Sequence, residues 1–204
     1  MSFDYTGFYN AIAPYYAQGQ DLLPMWRRYT EAVLPWVMLD SVILEIGPGP
    51  GILLEQLALR GEAAIGLDLA PAMLAQSQAR LRAKGMPVNL LNGDATRIPL
   101  ADASVDVIVT TFAFSAIPDG LAALREMGRV VRPGGLIALV DSCMPTSGNP
   151  VGVALSRLWE QFGDFMRDEA SLMHQAGLEV VARREFGAFD SIRLVVGRRP
   201  DTSG

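Results

Sequence analysis

Three glycines at alternate positions, Gly47, Gly49 and Gly51, follow a short apolar run, Val42-Ile43-Leu44-Glu45-Ile46. Such a run reads as a buried parallel strand, and the glycines as the tight turn into a helix. Glycine there lets the backbone come close to a bound ligand. The dinucleotide fingerprint is G-x-G-x-x-G. This chain has G-x-G-x-G, with Ile52 where the last glycine of that fingerprint would fall. Glu45 adds a carboxylate just before the turn, which suits a cationic ligand group better than a pyrophosphate. Asp68 follows after a second apolar run, at the distance where an open α/β nucleotide site sets an acid to accept from ribose hydroxyls. The competing reading of Asp68 is a cap for the helix that starts near Pro71. Asn92-Gly93-Asp94-Ala95 ends a third run, where Asp94 can close an Asx turn on its own loop. Thr111 and Phe112 end a fourth run, on the strand edge that lines the crevice of an open sheet.

The elements that must hold these residues alternate along the chain. Strands are read at Ser41 to Ile46, Ala63 to Leu69, Met86 to Leu91, Val105 to Thr110 and Leu136 to Val140. Helices are read at Ile52 to Arg60, from Pro71 onward, and at Leu121 to Val131, whose Leu121, Leu124, Met127 and Val131 share a face. Alternation of this kind implies right-handed crossovers and a doubly wound, mostly parallel Rossmann-like α/β sheet with helices on both faces. Before it, residues 1–40 hold all five tyrosines (Tyr5, Tyr9, Tyr15, Tyr16 and Tyr29) with Phe3, Phe8, Trp26 and Trp36; Pro14, Pro24 and Pro35 divide them into short helical pieces. After it, Val151 to Ala176 is mainly helical. Leu178 to Phe186 and Ser191 to Arg198 then form an antiparallel hairpin around Gly187. The expected division of this single domain is a segment 1–40, a ligand-binding core 41–141 and a substrate-side helix with the hairpin, 142–204.

Composition narrows the partners. The chain has 204 residues, half of them hydrophobic and 19% charged, which fits a globular fold with a sizeable core. A net charge of -5 without a basic stripe argues against nucleic acid. The single cysteine, Cys143, excludes an internal disulfide and a cysteine-built metal site, and no metal is expected. No secretory signal and no apolar run of transmembrane length is evident, so a cytoplasmic location is expected, with peripheral membrane contact left open.

The motifs resemble those of class I S-adenosylmethionine-dependent methyltransferases. Leu44 to Gly51 is similar to that family's first motif, in its Gly-Pro-Gly-Pro-Gly form. Asp68-Leu69-Ala70-Pro71-Ala72-Met73-Leu74 resembles the second, and Asp94-Ala95 the adenine-side motif. Leu124 to Gly135 resembles a signature that is mostly structural, so Glu126, Arg129 and Arg132 receive no catalytic role. Phe8-Tyr9-Asn10-Ala11-Ile12-Ala13-Pro14-Tyr15-Tyr16 resembles the opening of the ubiquinone/menaquinone-biosynthesis type, departing at Asn10 and Ala17, where that type has acids. The resemblance implies S-adenosyl-L-methionine as cofactor and S-adenosyl-L-homocysteine as product. It implies cofactor contacts from Tyr9, Tyr16, Glu45, Gly47, Pro48, Gly49, Gly51, Asp68, Leu69, Met73, Gly93, Asp94, Ala95, Thr111 and Phe112. The N-terminal helices would form a lid.

Methyl transfer from a sulfonium needs positioning and exclusion of water more than acid–base chemistry. A base is required only if the acceptor must lose a proton, and Tyr16, Asp141 and His174 are weak candidates. The expected reaction is methylation of a small hydrophobic or aromatic acceptor: a quinone precursor, a phenol or a lipid amine. The enzyme would be a monomer or a homodimer. Two rival readings are a cofactor-binding module without catalysis and a dinucleotide-dependent oxidoreductase. Glu45 and the glycine spacing argue against the second.

Overall fold

The computed structural model describes residues 4–21, 24–87, 89–161 and 163–201. For residues 15–21 and 24 it describes the backbone alone. Phe3, Val88 and Phe162, and the side chains of Tyr15, Tyr16 and Ala17, therefore lie outside the described structure.

Seven strands form one sheet: β1 (Val42–Ile46), β2 (Ala63–Asp68), β3 (Leu90–Asn92), β4 (Val105–Thr111), β5 (Val131–Ser142), β6 (Glu179–Phe186) and β7 (Ile192–Arg198). Their order is β3-β2-β1-β4-β5-β7-β6. The first five pair in parallel, and β7 joins β5 and β6 antiparallel. This is the doubly wound, Rossmann-like sheet with a C-terminal hairpin that the sequence implies.

Strand periodicity assigns the two faces. On one, Leu44, Ile46, Ile108, Ile137, Leu139 and Val195 pack with α5 (Gly120–Val130) and α7 (Glu169–Gln175). On the other, Ile43, Val107, Val109, Ala138, Val140 and Leu194 pack with α3 (Ile52–Ala58) and with Leu81 of α4 (Pro71–Ala83). Glu45 keeps step with Ile43, so a carboxyl group stands in an apolar row. Asp141 and Arg193 keep step with Ile137 and Val195 on the opposite face.

Several boundaries differ from the sequence reading, for physical reasons. The third strand is only Leu90–Asn92, because its register on β2 begins at Gly66↔Leu90. β5 starts at Val131, five residues early, and Gly134-Gly135 is not a turn before it. The pairing with β4 jumps from Val131 to Leu136, and Gly134 takes φ +75°, so the glycines form a bulge inside the strand. Helix α1 (Tyr5–Asp21) runs unbroken through Pro14. Pro14 is exposed, where water can take the carbonyl that loses its donor. After it come α2 (Pro24–Thr30) and a 3-10 turn, Glu31–Trp36. The late helical region splits into α6 (Pro150–Gln161) and α7, separated by an irregular stretch that includes 163–168.

The structural signature does what its charges allow. Arg129 bonds Glu126 and Asp102 and the carbonyls of Ile98 and Leu100, while the Ile98 N–H donates to Glu126 Oε2 at 2.9 Å. The loop after Asp94-Ala95 is thereby fastened to α5. A second hub is Arg193 on β7, 4% exposed. Its guanidinium bonds Glu169 Oε2 at 2.7 Å, Glu185 Oε1 at 2.8 Å, and the carbonyls of Met144 and Arg167. It ties α7, β6 and the segments flanking α6 to the sheet. Arg193→Ala leaves the buried Glu169 carboxylate without its partner and should cost about 3–5 kcal/mol. Urea unfolding of the variant against wild type measures this, and adding Glu169→Leu should recover part of the loss.

Candidate cofactor and acceptor site

Strand order reverses between β1 and β4, and the glycine turn lies at that crossing. Gly47, Gly49 and Gly51 have φ of +68°, +52° and +80°, all in the left-handed region. A Cβ on Gly47 would lie 2.3 Å from that of Ala113, so only glycine lets the turn press against the end of β4. Gly51 meets Ser77 of α4 in the same way. The Ser77 hydroxyl donates to Gly49 O at 2.7 Å and Arg80 Nε to Pro50 O at 3.1 Å. These contacts leave the glycine backbone facing a cavity of about 980 Å³. That lies at the upper end of the ~300–1,000 Å³ typical of small-molecule sites.

The cavity gathers most of the residues singled out in the sequence. Tyr9, Glu45, Gly47, Pro48, Gly49, Asp68, Leu69, Met73, Gly93, Asp94, Ala95, Thr111 and Phe112 all line it. Gly51 does not; it is spent on packing against α4. The Tyr16 side chain lies outside the described atoms. Asp141 and His174 are not among the lining residues. Asp141 is buried, and its carboxylate accepts from the N–H groups of Ser115 and Ser142, both at 2.8 Å. It joins the loop after β4 to β5. His174 is exposed on α7.

Two carboxyl groups dominate the electrostatics. Glu45 is 1% exposed, and its Oε2 has no hydrogen-bond partner among the described residues. Burial, then the nearby Asp68, push its pKa up to about 8. Asp68 accepts from Ala70 N–H at 2.9 Å and Gly49 N–H at 3.2 Å. It therefore braces the glycine turn as well as facing the cavity. It is not the cap of α4, which is Ala70, without a side-chain bond. Burial raises its pKa, and the bonds from Ala70 and Gly49 oppose that. Asp94 does form the Asx turn, accepting from Thr96 N–H at 2.8 Å, and is exposed at the cavity wall. A closed Asx turn leaves further lone pairs on the same carboxylate for a ligand.

Other lining residues were not expected as cofactor contacts, although Tyr5 and Trp26 belong to the aromatic segment expected to form the lid. Tyr5, Trp26 and Arg27 come from the N-terminal helices. Tyr5 donates its hydroxyl to Gly163 O, and Asn10 Oδ1 accepts from Ala72 N–H at 3.1 Å. Helix α1 is so anchored at both sides of the cavity. Arg80 and Lys84 also line it, on the α4 face that carries Met73 and Ser77. The 4-3-4 spacing of those four residues was the available clue.

Comparison with known proteins adds to this geometry. Residues 44–139 match a protein family described as a methyltransferase domain. Over that stretch the chain is similar to methyltransferase domains. The demethylmenaquinone methyltransferase of Mycolicibacterium vanbaalenii is 36% identical over 129 residues, 63% of this chain and 53% of that protein. The chain thus spans about half the length of the curated relatives it matches. A putative methyltransferase of Haloferax volcanii, solved in complex with the Trm112 methyltransferase activator, superposes with a TM-score of 0.77 at 22% identity, over 94% of this chain and 97% of that one. A SAM-dependent methyltransferase from Aquifex aeolicus gives 0.69 at 22% identity, over 89% and 96%. The family and fold imply S-adenosylmethionine as the donor. The residues present fit it: the turn that only glycine permits takes close backbone approach, and the partnerless Glu45 oxygen favours a cation.

Glu45 gives the site a pH signature. Its folded pKa lies above its ordinary 4.5, so the native chain holds a proton that the unfolded chain has lost. Glu45 therefore lowers stability progressively from about pH 4.5 to about pH 8. Asp141, raised to about 7 by burial, acts in the same sense. Glu45→Gln removes only the first contribution. The variant should unfold at higher urea concentration than wild type at pH 8 and lose the advantage near pH 5. A cationic ligand reverses the preference, so wild type should release a proton on binding at pH 7 and Glu45→Gln should not. Calorimetry in buffers of different ionisation enthalpy reads the difference.

Proposed function

We propose that this protein transfers a methyl group from S-adenosylmethionine to an aromatic acceptor of the quinol or phenol class. The observation that carries the reading is the glycine turn with the carboxyls of Glu45 and Asp68 beside it and no basic residue within the turn. That arrangement suits a sulfonium nucleoside and disfavours the pyrophosphate of a dinucleotide. The name of the Mycolicibacterium relative supports a quinone-derived acceptor.

When bound, the donor supplies an already activated methyl group. The chain's residues then bind and orient. Asp68 accepts from the ribose hydroxyls while the Gly49 and Ala70 N–H groups hold its carboxylate in place. Asp94 and the Ala95 N–H take the adenine edge, on a loop fixed by Arg129 and Glu126. Glu45 faces the cationic end, next to Thr111 and Phe112. Helix α1, with Tyr5 and Tyr9, covers the cavity and excludes water, and residues 1–40 act as this cover over the core 41–141.

Calorimetric titration with S-adenosylmethionine, S-adenosylhomocysteine and NAD tests the donor. Binding of the first two without the third is the expected result; NAD binding alone would overturn it. Asp68→Ala should weaken S-adenosylhomocysteine binding by about 1–3 kcal/mol, the cost of hydrogen bonds left unmade. Transfer of labelled methyl from S-adenosylmethionine to a 1,4-naphthoquinol should be detectable with wild type and lost with the Asp68 variant at low donor concentration.

A further inference from the structure

Asp141 ends β5 in the interior, and a second carboxyl group lies near it. Asp164 belongs to the stretch 163–168 between α6 and α7. Ser115, 4% exposed on the loop after β4, stands between the two. Its side chain hydrogen-bonds both carboxyl groups. Its N–H donates to Asp141 Oδ2 at 2.8 Å, and its carbonyl accepts from Phe165 N–H at 2.8 Å. A hydroxyl carries one proton and can donate to only one carboxylate at a time. The other carboxyl then holds a proton of its own or stands as a second negative charge in a site largely closed to water. Like charges so placed do not readily both ionise. Burial and the nearby Asp164 push the Asp141 pKa up to about 7, and burial raises that of Asp164. The two carboxyls titrate as a pair.

The stretch that carries Asp164 is seated on the wall of the cavity. Arg167 donates to the carbonyls of Phe114 at 3.3 Å, Ile117 at 2.6 Å and Pro118 at 2.8 Å. Its guanidinium lies 4.4 Å from the centre of the Phe165 ring. Ala116, Ile117 and Pro118 of the same loop line the cavity. So does Tyr5, whose hydroxyl donates to Gly163 O. The other charges around the pair are already engaged. Arg167, which feels the Asp141 charge, also feels Tyr5 of α1, Asp119 at the start of α5 and Glu169 of α7. Arg193 of β7 lies opposite Asp141 in register, but its guanidinium is held by Glu169 and Glu185.

We propose that Asp141, Ser115 and Asp164 form a proton-operated latch that seats the stretch 163–168 on the loop walling the cavity. One proton held within the pair keeps the latch closed, because each carboxyl then meets a donor. Loss of that proton leaves two anions and one hydroxyl between them. Asp164, the less buried of the two, moves to water with its stretch. The Phe165 N–H and the Arg167 contacts leave the loop after β4, and Gly163 O leaves Tyr5. The closed state holds a proton that the open state gives up. Opening therefore increases as pH rises from the ordinary aspartate value of 3.8 to about 7, and levels off above it. The cavity is more firmly walled in mild acid than in mild base, whichever ligand it takes, so the latch does not depend on the methyl-transfer reading.

Hydrogen–deuterium exchange of the full chain, read by mass spectrometry and corrected for the intrinsic rate at each pH, tests the latch. Between pH 5 and pH 8, opening of the peptide covering 163–168 should rise by about tenfold or more in wild type. The amides of α5 should not follow it. Asp164→Asn keeps a side chain that can bond Ser115 and removes the charge, so its rise should stay below about threefold. Asp141→Asn should abolish the rise; thermal unfolding shows whether it folds, and if it does not, Asp164→Asn decides alone. Glu45 titrates over an overlapping range, with a pKa near 8, on the other face of the sheet. Glu45→Gln should therefore keep the wild-type rise. Exchange of 163–168 that does not change with pH overturns the proposal. So does the full wild-type rise in folded Asp164→Asn, or loss of the rise in Glu45→Gln. An equal rise in α5 also overturns it, because the whole chain would then be opening.

Discussion

The contact between Gly47 and Ala113 constrains everything around it. Two backbone segments, one leaving β1 and one leaving β4, approach so closely that a single Cβ on Gly47 would lie 2.3 Å from another. In an open α/β sheet, β1 and β4 are where successive connections depart to opposite sides, and the gap outside their carboxyl ends is the ligand crevice. The contact pins the floor of that crevice. Ser77, Arg80 and Asp68 then hold the far side of the turn, through Gly49 O, Pro50 O and Gly49 N–H. A left-handed run of three glycines is entropically costly. Its persistence here is explained by the four directions from which the turn is held.

The second constraint is electrostatic. Glu45 occupies a place in an apolar row where a leucine would stabilise the sheet. Burial keeps its carboxyl protonated near neutrality, and the neighbouring Asp68 opposes its ionisation further. The fold thus carries a buried carboxyl whose Oε2 no described residue satisfies. Asp141 is similarly buried and raised, yet its two backbone donors satisfy it. The contrast separates the two buried acids. Glu45 has an open valence inside the cavity wall, whereas Asp141 is a brace between β5 and the loop after β4.

The sequence made the glycine-turn side of the cavity legible and the side lined by the N-terminal helices less so, and the difference is physical. Backbone-mediated binding needs glycine at fixed places and acids at strand ends, and both leave a pattern in one dimension. Gly47, Asp68 and Asp94 are found that way. The third strand and the start of β5 were misread because their limits come from pairing partners: β3 is only as long as its register on β2, and the bulge at Gly134 looks like a turn until β4 lies beside it. Pro14 misled for the opposite reason, since a proline on an exposed helix face need not end the helix. The same cavity is lined by Tyr5, Trp26 and Phe112, from three distant elements. Phe112 was marked by its place at a strand end and Tyr5 and Trp26 by the aromatic N-terminal segment, but no spacing in the sequence shows that the three meet in one wall.

This division fits the chemistry of the transfer. An activated methyl donor asks of the protein a fixed geometry and little proton transfer, so the donor site can be built from backbone and carboxylates that vary little in kind. Acceptors differ in shape, and the residues that meet them belong to elements added around the core: α1, α2 and the stretch between α6 and α7. Tyr5 bonds Gly163 O, Asn10 bonds Ala72 N–H, and Trp26 stacks on Phe112. These contacts join the N-terminal helices to the stretch after α6, to α4 and to the end of β4. On the proposed methyl-transfer reading, a change of acceptor can then come from altering the N-terminal helices, while Glu45, Asp68 and the glycine turn stay as they are.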